Sequence, residues 1–557
     1  MGDKRNVTRR ALLGGVAAAG AASLVRPAAG LADAFGQRRS VSARWVGALS
    51  GESAPMLAPA RFSLVGIEWA GPPGARIELR AQAPDGAWSP WVTASVLGHD
   101  PDVHSGAGAL FGEPVWTGTA DRVQLRTREE IRRLRVHFVG AAPVSAAHAA
   151  AGFPRAAPVL DAGPGQPPII ARRAWGGGQA QPVHAPEYGT VKLGFVHHTV
   201  NPNGYSADAV PSMLLAIFDY HVQVRGFWDI AYNFMIDSYG RIWEARAGGI
   251  DMPVMGAHAG AYNTQSTGVA VLGDFMNVVP SQAAIAALEP LLAWKLSLHG
   301  VPARGHATVV VDPASAYYTP FAPGAHVSLP RVAGHRDGDS TDCPGTAFYA
   351  RLPSIRPRVA ALAGTFARLT AGSSPPIATG GAPVTVSGRL QTVGSQGQNA
   401  GLAGAPIEVQ LLSPNTAGPR ETTIATAGTG PDGSWSASIT LQSNAMLRAL
   451  QRQHPAAVSD PWQVAVLPAI TLTIGSIVPL QVSGTITPSK PHVVVDAYPT
   501  GRTAGKPLAS TRVPVAQGRF TAKLGFHRPG RFVLVARSQA DASNGDGASA
   551  PVPVSVP

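Results

Sequence analysis

One cysteine in 557 residues, Cys343, is the feature that most constrains how this chain can fold. A single thiol can form no internal disulfide, so every domain must be held by a buried apolar core. A chain of this length exceeds what one core supports and divides into three or four domains. Gly 63 and Pro 50 together make about a fifth of the residues. Many lie in tails and linkers, without the period of collagen or the breadth of wholesale disorder.

The amino-terminal residues indicate where such a chain works. Lys4, Arg5, Arg9 and Arg10 precede an uncharged apolar stretch from Ala11 to Val25, and Ala32-Asp33-Ala34 offers a small-residue cleavage site. Thr8-Arg9-Arg10-Ala11-Leu12-Leu13 resembles a twin-arginine export signal. The apolar stretch falls short of the ~20 residues that a membrane span needs, so residues 1–34 read as a removed signal. The mature chain is expected to carry no transmembrane segment and to be extracellular or bound to the cell wall.

A lone thiol in exported protein calls for a chemical reason, and its surroundings supply one. Gly334-His335-Arg336-Asp337 and Asp342-Cys343-Pro344-Gly345 lie close in sequence, while Val191 to Val196 form an apolar run that ends abruptly in His197-His198-Thr199, as a buried strand does where it opens on a cleft. His197, His335 and Cys343 offer two imidazoles and a thiolate. These are three of the four ligands of a tetrahedral zinc site, with the fourth position open for a water that becomes a nucleophile near neutral pH. The alternative is a small buried hydrophobe at Cys343 with satisfied histidines around it.

After the first histidine pair, Ser206 is placed to cap a helix in which Val210, Leu214, Ile217, Phe218 and His221 recur at helical spacing. Residues 229–237 and 240–245 then read as two strands joined by a tight Ser238-Tyr239-Gly240 turn. A helix capped by Ser281 carries Pro290, and a last one from Thr346 to Ala363 is expected to break at Pro353 and Pro357. Between them, Thr308 to Val311 is the one clear strand of a Pro/Gly-punctuated stretch.

With these motifs in order, residues from about 169 to 365 resemble the zinc-dependent N-acetylmuramoyl-L-alanine amidases of the peptidoglycan recognition protein family. The strings that carry the resemblance are Phe195-Val196-His197-His198-Thr199, Trp228 to Phe234, Gly256 to Asn263, Gly268 to Phe275, and Gly334 to Asp337 with Thr341 to Gly345. It implies an α/β domain with a mixed sheet and a Zn2+ held by His197, His335 and Cys343. It also implies Tyr232 as a catalytic group that orients the attacking water or stabilises the developing oxyanion. Thr341 stands where some members carry a catalytic lysine, and a neutral hydroxyl brings no positive charge there. Cys343 favours hydrolysis, since members that only bind wall fragments lack this ligand.

Residue by residue, Tyr232 reads as a cleft-facing strand residue or a core tyrosine. His198, turned away from His197 by strand alternation, reads as structural. Thr199, Trp228, His258 and Asn263 are candidate substrate contacts, His258 being equally readable as a solvated loop residue. Arg336 and Asp337 read as groups orienting the neighbouring ligand or as a surface ion pair.

The flanks look all-β. From about 40 to 141, short alternating runs between Gly/Pro turns predict a β-sandwich. Its Trp69, Trp88, Trp91 and Trp116 would fill the core or form a sugar-stacking platform. A linker over 142–168 leads to the amidase-like domain at 169–365, and a second linker, 366–379, leads out of it. Beyond it, Val384 to Leu390 echoes Leu480 to Ile486, and Gly433-Ser434-Trp435 echoes Gly518-Arg519-Phe520. The repeat predicts two immunoglobulin-like sandwiches, 380–466 and 467–557, acting as spacers or wall-binding units.

The formal net charge of +12 invites a nucleic-acid reading. The basic residues are scattered singly, however, without a basic helix, a zinc-finger spacing or an RNA-binding aromatic motif. A basic surface on an exported chain suits peptidoglycan and anionic wall polymers instead. Three classes stay open: a zinc amidase, a non-catalytic peptidoglycan-binding or sensing protein, and a Cys/His thiol peptidase.

Overall fold

Alternation of buried and half-buried residues along Ile77–Gln82 shows in six residues how the first domain is built, one face of each strand inward and the other toward solvent. In a computed structural model, residues 39–71, 75–94, 109–141, 153–394, 399–415, 418–525 and 529–557 are described. The export segment expected at 1–34 lies outside them. Strands β1 (Ser40–Glu52), β2 (Met56–Ala70), β3 (Ile77–Gln82), β4 (Val92–Ala94), β5 (Leu110–Phe111) and β6 (Val115–Gly140) form one six-stranded sheet. Two separate sheets were expected. Instead, the 26-residue β6 runs through both layers: Leu64 of β2 pairs with both Trp116 and Val139, so the sheet doubles over a core that includes Phe62, Ile67, Leu125 and Phe138. Positive φ at Gly118 (66°) and Arg133 (51°) breaks the run of extended backbone along β6. Trp69 is core, whereas Trp88 and Trp91 receive the Arg80 guanidinium at 4.7 and 4.6 Å from their ring centres.

The second sheet runs in the order β14 (Val332–Gly334), β8 (Leu193–His198), β11 (Ser266–Val271), β9 (Phe234–Ile236), β10 (Ile242–Glu244) and β7 (Ile169–Ile170). β14, β8, β11 and β9 are mutually parallel, and β10 returns antiparallel to β9. Their near-continuous apolar sequence follows from burial on both faces. Val269 and Val271 pack with Leu288, Leu291 and Leu292 of one helix, while Ala270 between them packs with Leu214 and Ile217 of another. The helices are α1 (Arg173–Gly176), α2 (Val210–Asp219), α3 (Gln282–Leu298), α4 (Thr346–Tyr349) and α5 (Leu352–Ala363).

Local chemistry explains most element ends. Ser281 Oγ accepts from Ala284 N at 3.0 Å and starts α3. Ser206 makes no side-chain cap, because α2 is entered through a 3-10 turn at Ala207–Ala209; the helix then widens into a π turn, Tyr220–Val224. The carboxy-terminal helix breaks once, between α4 and α5. Pro353 sits in the first turn of α5, where a missing N–H costs nothing, and Pro357 is tolerated inside it. An unexpected strand, β13 (His326–Pro330), pairs antiparallel with β12 (His306–Val310).

The segment 366–379 is not a linker. Phe366–Ser374 pairs along its whole length with Val384–Val393, and Ile377–Thr379 pairs with Ala465–Leu467. Its buried Phe366, Ala367 and Leu369 commit it to packing. Beyond it two all-β cores follow, one with Val386, Val409, Trp435 and Leu447, the other with Val482, Val495, Phe520 and Leu534. The sequence repeat has a packing basis: Gly388 pairs with Trp435, and Gly484 pairs with Phe520.

Both flanks are docked on the central domain. Leu64, Val139 and Ala141 share the buried cluster of α2, and Arg39 Nε donates to Asp219 at 2.8 Å. On the other side Val393, Leu450, Ala456 and Val458 join the core of α3 and α5. There Arg448, 2% exposed, meets Asp251 at 2.7 Å, Glu421 at 2.7 Å and Gln410 at 3.0 Å.

Candidate metal centre

β8 ends in His197-His198, and strand alternation sends the two rings to opposite faces. His198 Nδ1 accepts from Phe275 N at 3.3 Å, its own N–H reaches Cys343 Sγ at 3.4 Å, and burial pushes its imidazole down to about 3. This is the structural role its position predicts. Beside β8, β14 runs into a 3-10 turn at His335–Asp337, fixed by the Asp337 carboxylate accepting from Gly334 N at 2.9 Å. Arg336 then clamps the returning loop: its N–H donates to Cys343 O at 2.9 Å and its guanidinium to Asp342 O. Cys343 N donates to Thr341 Oγ1 at 3.2 Å.

The end of β8 and, far along the chain, the turn and loop after β14 thus bring one donor atom each from His197, His335 and Cys343 within 4.8 Å of one another, among buried residues. His197 Nδ1 lies 3.6 Å from Cys343 Sγ. Zinc bonds of about 2.1 Å to nitrogen and 2.3 Å to sulfur at a tetrahedral angle require a separation of about 3.6 Å, so the donor set fits that metal in number, type and spacing. The outward nitrogens are also held. His197 Nε2 meets His258 Nδ1 at 3.1 Å, and His335 Nε2 meets Asp339 Oδ2 at 3.0 Å, with both members of the second pair fully buried. A carboxylate behind a histidine in this way fixes the ring and its tautomer, leaving Nδ1 to face a metal.

Burial pushes the Cys343 thiol and the Tyr232 phenol well above their ordinary values, and the charge of Glu113 raises both further. Tyr232 is 1% exposed, its ring 5.3 Å from that of His197. It lies just ahead of β9 and not within a strand, because the assigned ladder begins only at Phe234.

Several expected substrate contacts have other work. His258 is fully buried and backs His197; it occupies space left by Gly256 and Gly268, where an added Cβ would stand 2.4 Å from its ring. The glycines that suggested an open loop are clearance for an imidazole. Asn263 is committed to the loop itself: its carbonyl accepts from His258 N and Ala259 N, and its amide donates to Gly260 O. Thr199 is buried, and its hydroxyl accepts from Asn201 Nδ2 at 2.9 Å and Gly273 N at 3.1 Å, tying the ends of β8 and β11 together. Trp228 is half-buried and stacks on His184 at 4.0 Å. Thr341, with its hydroxyl oxygen accepting from Cys343 N, shapes the ligand loop. Asp337 orients Gly334 and receives the Tyr349 hydroxyl, so the acid that backs His335 is Asp339, which the sequence reading passed over.

Residues 187–346 match the family described as N-acetylmuramoyl-L-alanine amidase. Peptidoglycan-recognition protein 1 of Holotrichia diomphalia is 33% identical over 140 residues, 25% of this chain and 68% of the relative. Peptidoglycan-recognition protein SC2 of Drosophila melanogaster is 31% identical over 185 residues, 33% of this chain and 84% of the relative. The chain belongs to the peptidoglycan recognition protein family. Among solved structures, Drosophila PGRP-LB is similar at 25% identity, covering 33% of this chain and 92% of that one with a TM-score of 0.26. Membership concerns the central domain and sets the functional class as peptidoglycan binding or amidase activity. Residues 34–158 match a second family, described as Rv3811 N-terminal galactose-binding domain-like. No helix among the described residues is long and apolar enough to cross a membrane.

Proposed function

We propose that the central domain is a zinc-dependent amidase that hydrolyses the bond between N-acetylmuramic acid and the first L-alanine of the peptidoglycan stem peptide. The observation that carries the reading is the meeting of His197, His335 and Cys343 with their donor atoms within 4.8 Å. These three would hold the ion. When bound, zinc polarises the amide carbonyl and makes a water nucleophilic near neutral pH. The protein's own groups do the rest. His258 and Asp339 hold the two imidazoles in the tautomers that leave Nδ1 unprotonated, and Tyr232 is placed to donate a hydrogen bond to the developing oxyanion. The burial of the whole cluster keeps bulk water from competing for those bonds.

The chain is further proposed to be exported through its amino-terminal signal and to act at the cell wall. Its carboxy-terminal all-β cores are read as immunoglobulin-like modules, and its basic surface is read as attracted to anionic wall polymers. The test is digestion of purified peptidoglycan with the mature chain and identification of the new amino terminus by mass spectrometry, beside Cys343→Ser. Free stem peptides beginning at L-alanine, lost on chelation and restored by zinc, are expected. Binding without release would leave a sensing protein, and activity indifferent to chelation would point to thiol chemistry.

A further inference from the structure

The turn between β5 and β6 carries Glu113, which is 2% exposed and whose carboxyl oxygens meet no hydrogen-bond partner among the described residues, the charge of Arg225 opposing the cost of burial. A buried carboxyl without partners is among the least favourable arrangements a fold can hold, and it persists where something outside the chain completes it. The turn is pinned on both sides to the central domain. Gly112 O accepts from the Tyr220 hydroxyl at 3.3 Å, and Arg225 rests its guanidinium 4.0 Å over the Phe111 ring. Trp116 N donates to Asn201 Oδ1 at 2.7 Å, and Asn201 bonds in turn to Thr199, two residues past His197. Tyr220 adjoins His221, whose ring lies 6.0 Å from that of Tyr232. The turn is therefore held against the end of β8 and the helix that carries His221, and the charge of Glu113 acts on both Tyr232 and Cys343. Glu113 does not join the three donors, since the cluster within 4.8 Å found among the described residues consists of His197, His335 and Cys343.

We propose that Glu113, carried by the amino-terminal domain, is the proton-transferring group of the amidase centre. Its carboxylate takes a proton from the attacking water as the oxygen bonds to the carbonyl carbon. Its carboxyl then gives that proton to the amide nitrogen as the carbon–nitrogen bond breaks. No oxidant or further reactant is needed. The inference rests on the hydrolytic reading above and adds that the catalytic domain is incomplete alone. The neighbouring groups are poor substitutes. His198 and His221 already accept from Phe275 N and Ala231 N, and the Thr341 hydroxyl accepts from Cys343 N. Burial raises Glu113 itself to about 8, suited to exchanging a proton near neutrality. Trp116, three residues on, lines a 640 Å³ cleft between the domains with Asn203, Tyr205 and Asp274.

The test compares the zinc-loaded mature chain with Glu113→Gln and Glu113→Asp, reading zinc content, muropeptide affinity, kcat and KM. Glu113→Gln is expected to keep zinc content, and muropeptide affinity within about twofold, while kcat falls by about 10²–10⁴-fold; Glu113→Asp recovers part of it. Unchanged or increased kcat in Glu113→Gln overturns the inference, the increase showing that the side chain obstructs the site. Loss of zinc or of muropeptide binding together with kcat overturns it in favour of a structural role. A wild-type chain that releases no peptide defeats the hydrolytic reading and this one with it; an active wild type with an equally active Glu113→Gln defeats this one alone.

Discussion

Asp339→Asn isolates the carboxylate behind His335 with almost no change of shape. The His335 Nε2 to Asp339 Oδ2 contact is 3.0 Å, and both side chains are fully buried. A hydrogen bond to a charged acceptor contributes about 1.5–3 kcal/mol, and a neutral one about 1 kcal/mol. The substitution therefore removes about 1–2 kcal/mol from the orientation and basicity of one ligand. That corresponds to about 5–30-fold weaker metal binding, close to the range of about 10–100-fold found for such supporting groups. Competition against a chromophoric chelator at fixed pH measures it, with circular dichroism to verify the fold. Asp337→Asn serves as the comparison: its carboxylate engages Gly334 N and the Tyr349 hydroxyl and does not touch the His335 ring, so it lowers the melting temperature and weakens metal binding less than Asp339→Asn does. Wild-type zinc affinity in a folded Asp339→Asn protein would refute the assignment of the orienting acid.

Arg448→Met leaves Asp251 buried without its partner and costs about 3–5 kcal/mol in denaturant unfolding; adding Asp251→Asn recovers part of the loss, and additive losses would contradict the coupling. Glu113 rises from 4.5 to about 8 on folding, so the folded chain holds the extra proton. Its stabilising contribution is complete below pH 4.5 and declines as pH rises through about 8, by at most about 5 kcal/mol; unfolding midpoints across that window should fall for the wild type and flatten for Glu113→Gln. Gly268→Ala puts a methyl 2.4 Å from the His258 ring. It should displace the support of His197 and lower zinc affinity at least as much as Asp339→Asn, which the same chelator competition reads.

Where local sequence decides structure, the reading from sequence matches it. β8 and β11 are buried throughout because they are covered on both faces, Ser281 caps α3, and the meeting of His197, His335 and Cys343 was legible because few residue types donate to a metal. The misses share a cause: each depends on a partner remote in the chain. β6 reads as separate short strands because its doubling over depends on pairing with β2. Phe366–Ser374 ends in Ser373-Ser374 before Pro375, which resembles a linker until Val384–Val393 lies beside it. His258 read as a substrate contact or a solvated loop residue because clearance by Gly256 and Gly268 resembles loop composition. Asp339 was hidden behind Asp337, nearer in sequence but turned the other way. Glu113 belongs to a different domain, and nothing in its local sequence points to Tyr232 or Cys343.

The Arg448 junction bears on how such a protein can be recombined. A module hung on a flexible tether can be exchanged between proteins as a bead on a string, but this one shares its core with the central domain through Val393, Leu450 and Val458 and completes a buried ionic cluster with Asp251. Cutting the chain after residue 365 would strip that core bare and strand the carboxylate. The central domain is therefore not a portable part, and any graft has to carry both halves of the seam.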